Sequence, residues 1–159
     1  MYERILVPLD GSQIGEAALP YVEDLVSKLS PNVKAEVILL QVLSPGVPQV
    51  VGGEAAAAVT YDKEKTERNR KKAEEYLNKT AEVLRNKGIT VTAEVRVGSA
   101  AEEIVKLAEE IKANMIAMST HGRSGLSRWA FGSVTDKVLR REKRIPITMV
   151  RAPGKAEKA

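Results

Sequence analysis

The sequence predicts an α/β fold, an open five-stranded parallel sheet in the strand order 3-2-1-4-5 with helices on both faces. Three observations point there. Short continuous apolar runs, Ile5-Leu6-Val7, Val37-Ile38-Leu39-Leu40 and Met115 to Met118, suit strands buried on both sides of a parallel sheet. Amphipathic helical patterns separate them, and that alternation builds layered α/β domains. The first and fourth strands are apolar enough to belong side by side in the middle, which makes the strand order reverse between them. Ligands of such sheets bind at that reversal, outside the carboxyl ends of the strands. The loop from Pro8 to Ser12 should therefore face the loop from Ser119 to Ser133.

In order along the chain, Glu3 to Asp10 holds the first strand, ended by Pro8. Asp10-Gly11-Ser12 turns into a helical pattern with Ile14, Ala18, Tyr21 or Val22, Leu25 and Leu29 on one face. Pro20 inside that pattern predicts a lost hydrogen bond and a kink, unless the helix begins later. The second strand lies within Lys34 to Val42. Ser44 to Thr60, with two prolines, Gly52-Gly53 and the run Ala55 to Ala58, predicts a long mobile connection, either a lid over a ligand or a plain linker. Asp62 to Asn86 predicts a charged helix with Ala73, Leu77, Ala81 and Leu84 as its narrow apolar face. From Ile89 to Val97 apolar and polar residues alternate strictly, the pattern of an edge strand with one wet face. Ser99 to Glu102 predicts a capping box, and Ile104, Leu107 or Ala108, and Ile111 give the next helix its core face. Met115 to Met118 is the fourth strand and Ile145 to Val150 the fifth, with Pro146 near its start. Gly154 to Ala159 reads as a frayed tail.

At 159 residues the chain suits one domain that buries roughly two-thirds of its unfolded surface. An apolar fraction of 43% with 29% charged residues is that of a soluble globular protein, and no apolar run approaches the roughly 18 to 20 residues of a membrane span. The N-terminus enters a strand without a signal-peptide pattern, and the absence of cysteine fits a cytoplasmic location. The net charge of +4 is concentrated: between Arg123 and Arg144 seven basic residues stand against Asp136 and Glu142. That excess is either a solvated helix face or an anion-attracting surface. Nucleic acid is not expected as a partner, because aromatics are only 4% and no stacking platform is evident.

The segment Thr120 to Leu139 carries the chemistry. Gly122 and Gly125 follow the fourth strand, and Gly132-Ser133 opens a helical pattern from Val134 to Arg141, with Ser133 at the expected N-cap. Backbone N–H groups at a helix start attract anions, and glycine lets an anion approach them. Turn-forming glycines followed by an ordinary helix cap would leave the same trace. The familiar phosphate motifs do not apply: there is no GxxxxGK[ST], and no GxGxxG follows the first strand.

The stretches ILVPLDGS, Gln41-Val42, Val97-Gly98-Ser99 and above all STHGRSGLSRWAFGSVTDKVL before IPITMV make the chain, from Met1 to about Arg151, resemble the universal stress proteins. The resemblance implies a Rossmann-like fold akin to the adenine-nucleotide α-hydrolases, a single domain over residues 1–151, and a disordered tail over 152–159. It also implies ATP as ligand, with Mg²⁺ arriving on the phosphates. In nucleotide-binding members the signature is Gly, two residues, Gly, nine residues, then Gly and Ser or Thr; here Gly122, nine residues and Gly132-Ser133 match it, while Ser119 stands at the first glycine. By this likeness Asp10 would hold ribose hydroxyls, Val42 would offer main-chain groups to adenine, and Gly122, Gly132, Ser133 and Val134 would bind phosphates. Pro8, Met118, Ser119, His121, Arg123 and Gly125 complete the implied site. A carboxylate suits a diol because it accepts two charge-assisted hydrogen bonds; the plainer role for Asp10 is to cap the first helix.

The function this implies is a nucleotide-sensing, regulatory stress-response module, homodimeric through its last strand. Hydrolysis should be slow or absent, since His121 stands without a second catalytic group. The alternatives are a slow ATP hydrolase or other nucleotide-transforming enzyme of the α-hydrolase group, whose SGGxDS-type loop PLDGSQIG does not match, or an interaction protein that binds no nucleotide.

Overall fold

A computed structural model describes residues 2–45, 49–51, 58–60, 63–120 and 132–152. Strands β1 (Tyr2–Pro8), β2 (Lys34–Leu43), β5 (Thr90–Val97), β6 (Met115–Thr120) and β7 (Ile147–Arg151) form one parallel sheet in the order β5-β2-β1-β6-β7. Read as the five main strands, that is the expected 3-2-1-4-5, with the reversal between β1 and β6. Helices α1 (Ala18–Ser27) and α2 (Lys63–Arg85) cover one face, and α3 (Ala100–Glu110) and α4 (Ser133–Arg141) the other.

Strand alternation divides the core into two clusters. Ile5, Val7, Val37 and Leu39 point to α1 and α2, where they meet Val22, Leu77, Ala81 and Leu84. Leu6, Ile38, Leu40, Ile116 and Met118 point to α3 and α4, where they meet Ile104, Leu107 and Val138. The narrow apolar stripe expected on the charged helix is the buried face of α2.

Several local expectations need correction. Pro20 does not kink α1, because one 3-10 turn, Gly15–Ala17, precedes the helix and α1 begins at Ala18. Pro20 thus falls in the first turn, where its missing N–H has no intrahelical partner to lose. Asp10 does not cap α1; Ala17 occupies that position. The connection from Ser44 to Thr60 is not structureless: β3 (Gln49–Val51) and β4 (Ala58–Thr60) pair antiparallel. Ser99 is the N-cap of α3 but its side chain makes no capping bond, and Glu102 reaches away to Arg141 at 2.8 Å. The capping box therefore does not close.

Edge strand β5 keeps its predicted place but not its strict alternation. Val91 is buried, whereas Ala93 is exposed and Val97 is 41% exposed. Arg96, expected on the wet face, lies under α3 with Glu94, Glu103 and Glu110 around it. A charge surrounded by carboxylates can lie against a helix where a neutral polar group would gain less. At the other end Ala152 is buried and its N–H donates to Thr120 O at 2.9 Å.

Candidate functional site

The site forms where β1 and β6 part. Pro8 ends its strand because it cannot donate to a continuing ladder, and Leu9 N–H still reaches Leu40 O at 2.7 Å, which aims the next residues over the sheet's carboxyl end. Asp10 then folds the chain back on itself. Its Oδ1 accepts from Ser12 N at 2.9 Å and from Ser12 Oγ at 2.6 Å, with Gly11 between them at φ +80°. Ser12 Oγ in turn accepts from Gly15 N at 3.0 Å. Both Ser12 bonds end on Oδ1, and Asp10 is exposed, so its carboxylate retains capacity to accept from other donors.

Gly15 is needed by this loop for space. A Cβ there would lie 2.5 Å from Asp10 Oδ1, closer than atoms approach without a bond. Its carbonyl accepts the Ser119 hydroxyl at 3.1 Å, tying the end of β6 to the Asp10 loop. The serine at the first signature glycine thus has a structural partner. On the far side Tyr76 Oη donates to Glu16 Oε1 at 2.9 Å. Burial pushes the Tyr76 phenol well above its usual range, the bond to Glu16 and the charges of Glu16 and Asp10 add to that, and a Thr80 bond opposes it.

A cleft of ≈ 140 Å³ opens between these strand ends, α3 and α4. Pro8, Asp10, Val42, Met118, Ser119 and Val134, all expected site residues, line it together with Leu9, Gly15, Leu40, Ala100, Ile104 and Thr135. Its walls are apolar, which suits a flat ring, and Asp10 is the ionisable side chain among its lining residues, which suits a hydroxyl-bearing group. Gly132 is the N-cap of α4 and Ser133 its first helical residue, so the expected N-cap role for Ser133 is corrected by one position. No side-chain capping bond forms there, and a Cβ built on Gly132 meets nothing within 4 Å among the described residues. The first N–H groups of a helix have no intrahelical acceptor, so this turn offers donors beside the cleft. His121, Gly122, Arg123 and Gly125 lie outside the described residues. Among the described residues no cluster of three or more His, Cys, Asp or Glu could hold a metal.

Leu40 and Ile104 read in the sequence as core, and they are core; Ala100, read as part of the capping box, is half-buried beside them, so the cleft floor is the core carried to its end. Gly15 had a signal in DGSQIG, a glycine one helical turn past an Asx turn. Thr135, 5% exposed in the first turn of α4, had none.

The universal stress protein family profile matches residues 1–151, nearly the whole chain. The chain belongs to the universal stress protein family. Universal stress protein MJ0577 from Methanocaldococcus jannaschii is 32% identical over 161 residues, covering 95% of this chain and 96% of its own. Its solved structure superposes with a TM-score of 0.67 at 29% identity over 97% of this chain and 99% of that one. A universal stress protein solved in complex with cAMP (TM-score 0.64, 20% identity, 94% and 97% covered) and one from Archaeoglobus fulgidus in complex with dAMP (0.62, 22%, 94% and 98%) share the fold. No described helix of this universal stress protein is long and apolar enough to cross a membrane.

Proposed function

We propose that the cleft binds ATP and that the protein is a nucleotide-sensing regulatory module with little or no hydrolysis. The observation that carries this reading is the convergence of one carboxylate, apolar walls and a helix start on a single cleft at the strand-order reversal. Asp10 Oδ2 holds the ribose hydroxyls, the walls at Val42, Leu40 and Ile104 take the adenine, and the phosphates lie toward Gly132, Ser133 and Val134 at the start of α4. Mg²⁺ comes with the phosphates and supplies charge neutralisation there. The cAMP and dAMP carried by family structures share the adenine this assignment needs. The lining supports binding rather than turnover in this reading, because its one ionisable side chain among the described lining residues, Asp10, is already engaged by Ser12. The protein acts in the cytoplasm as a homodimer through β7, whose half-buried Ile147, Thr148, Met149 and Val150 form a sheet edge.

Calorimetric titration tests the ligand. ATP is expected to bind with a Kd around micromolar, about −8 kcal/mol, and adenosine more weakly but measurably. No heat and no protection by either ligand would end the nucleotide reading. Light scattering that reports a monomer at working concentration would end the dimer.

A further inference from the structure

We infer that Tyr76, on the helix layer behind the site, is a positioning residue that sets the Asp10 carboxylate and couples α2 to ligand binding. The inference rests on the nucleotide reading above and adds a residue that the cleft itself does not contain. The Asp10 loop is held from two directions. From β6, Ser119 Oγ donates to Gly15 O; from α2, Tyr76 Oη donates to Glu16 Oε1 at 2.9 Å across sixty residues of chain. Gly15 and Glu16 are consecutive, so the two ties, one to the Gly15 carbonyl and one to the Glu16 side chain, converge on neighbouring residues of the loop. These residues fix Asp10 in two ways. Gly15 N donates to Ser12 Oγ, which donates to Asp10 Oδ1, and Glu16 N donates to Ser12 O at 3.2 Å. Gly15 also packs so closely on Asp10 that its missing Cβ is what admits the carboxylate.

Tyr76 is itself firmly placed. It packs against the cluster formed by α1, α2 and the sheet, and its carbonyl accepts Thr80 Oγ1 at 2.9 Å. Burial beside Glu16 keeps the phenol protonated, so it remains a donor throughout the working pH range. A chain of bonds therefore runs from α2 through Glu16, Gly15 and Ser12 to the oxygen next to the one that meets the ribose. Ligand that orders Asp10 is felt at α2, and loss of the α2 tie loosens Asp10.

The test uses the full chain with adenosine as calorimetric probe, and hydrogen exchange at the Ser12 and Gly15 amides as a ligand-free readout. Tyr76→Phe keeps the ring and removes the donor; adenosine affinity is expected to fall roughly three- to tenfold, with faster exchange at both amides. Glu16→Leu should behave like Tyr76→Phe, while Glu16→Gln, whose amide oxygen still accepts, should recover most of the loss. In an Asp10→Ala background, Tyr76→Phe should cost no further affinity, which a merely structural role would not produce. Unchanged affinity and exchange in Tyr76→Phe, or an equal loss with and without Asp10, would overturn the inference. A wild-type protein that ignores adenosine would overturn the nucleotide reading, while the exchange arm would still decide whether Tyr76 holds the loop.

Discussion

Leu39 and Leu40 are neighbours on β2, both fully buried, yet they belong to different worlds. Leu39 faces α1 and α2 in a layer sealed by Leu77, Ala81 and Val22; Leu40 faces α3 and α4 and is also the floor of the cleft. The same alternation that builds a closed core on one side of the sheet builds an open one on the other. The difference lies in the covering helices. On the first side α2 runs over β2 and β5, whereas on the second α3 and α4 flank a gap at the carboxyl ends of β1, β2 and β6. A binding site in this fold is a core left uncovered at one end, and stability and affinity should be separable by face.

Truncating these leucines gives the largest expected effects. Leu39→Ala and Leu40→Ala should each cost about 2 to 5 kcal/mol, read as a shifted urea midpoint, because each leaves a cavity. Only Leu40→Ala should also lower adenosine affinity in molecules that are still folded. If Leu39→Ala lowers affinity as much, the two faces are not independent and the comparison fails.

Ser133→Ala comes next, and it separates the two ends of the ligand. Ser133 is the first residue of α4 and makes no capping bond, so its loss should shift the midpoint hardly at all. A hydrogen bond to a charged phosphate is worth about 1.5 to 3 kcal/mol, so ATP affinity should fall roughly ten- to a hundredfold while adenosine affinity stays. Equal loss of both ligands would mean that the phosphates lie elsewhere. Gly15→Ala should be smaller and opposite in pattern: the methyl group drives Asp10 Oδ1 from its place, so ATP and adenosine weaken together, by about tenfold, in a protein that is still folded by circular dichroism. A crystal structure of that variant with Asp10 unmoved would remove the reason for the prediction.

The sheet order and both helix layers were legible in the sequence because they depend on which residues are apolar and at what period. Ile5 to Val7, Val37 to Leu40 and the stripe from Ala73 to Leu84 say this without reference to anything distant. Family likeness singled out Asp10 and Val42, which both line the cleft, and the strand-order argument independently pointed to the Pro8 to Ser12 loop. What could not be read depended on pairs far apart in the chain. Ser119 looked like a misplaced glycine until its hydroxyl met Gly15 O, and Tyr76 looked like one more residue of a charged helix until it met Glu16. Arg96 was read as solvent-facing because alternation knows nothing of the Glu103 and Glu110 carboxylates that α3 brings over it. Charge pairs and single hydrogen bonds leave no periodic trace.

Arg96 supplies the smallest prediction, and it belongs to the open face. The guanidinium joins edge strand β5 to α3 through Glu110, and the hydrogen bond from Arg96 holds the Glu110 carboxyl below its usual range. A carboxyl depressed in the folded state contributes stability that is present above its unfolded pKa and lost as pH falls through the folded one. Glu110 is exposed, so solvent and salt screen the pair and the contribution is small. Urea midpoints of wild type and Glu110→Gln should therefore differ slightly at pH 7 in low salt, with wild type the more stable. The gap should narrow as the pH drops below the ordinary carboxylate range, and added salt should narrow it at pH 7 as well. On the closed face, Lys87, just past the end of α2, pairs with Glu23 of α1, and Glu23→Gln serves as the matching control. Should the Glu110→Gln gap persist unchanged into strong acid, the side chain contributes through packing against α3, and the open face is held at its edge by contact rather than by charge.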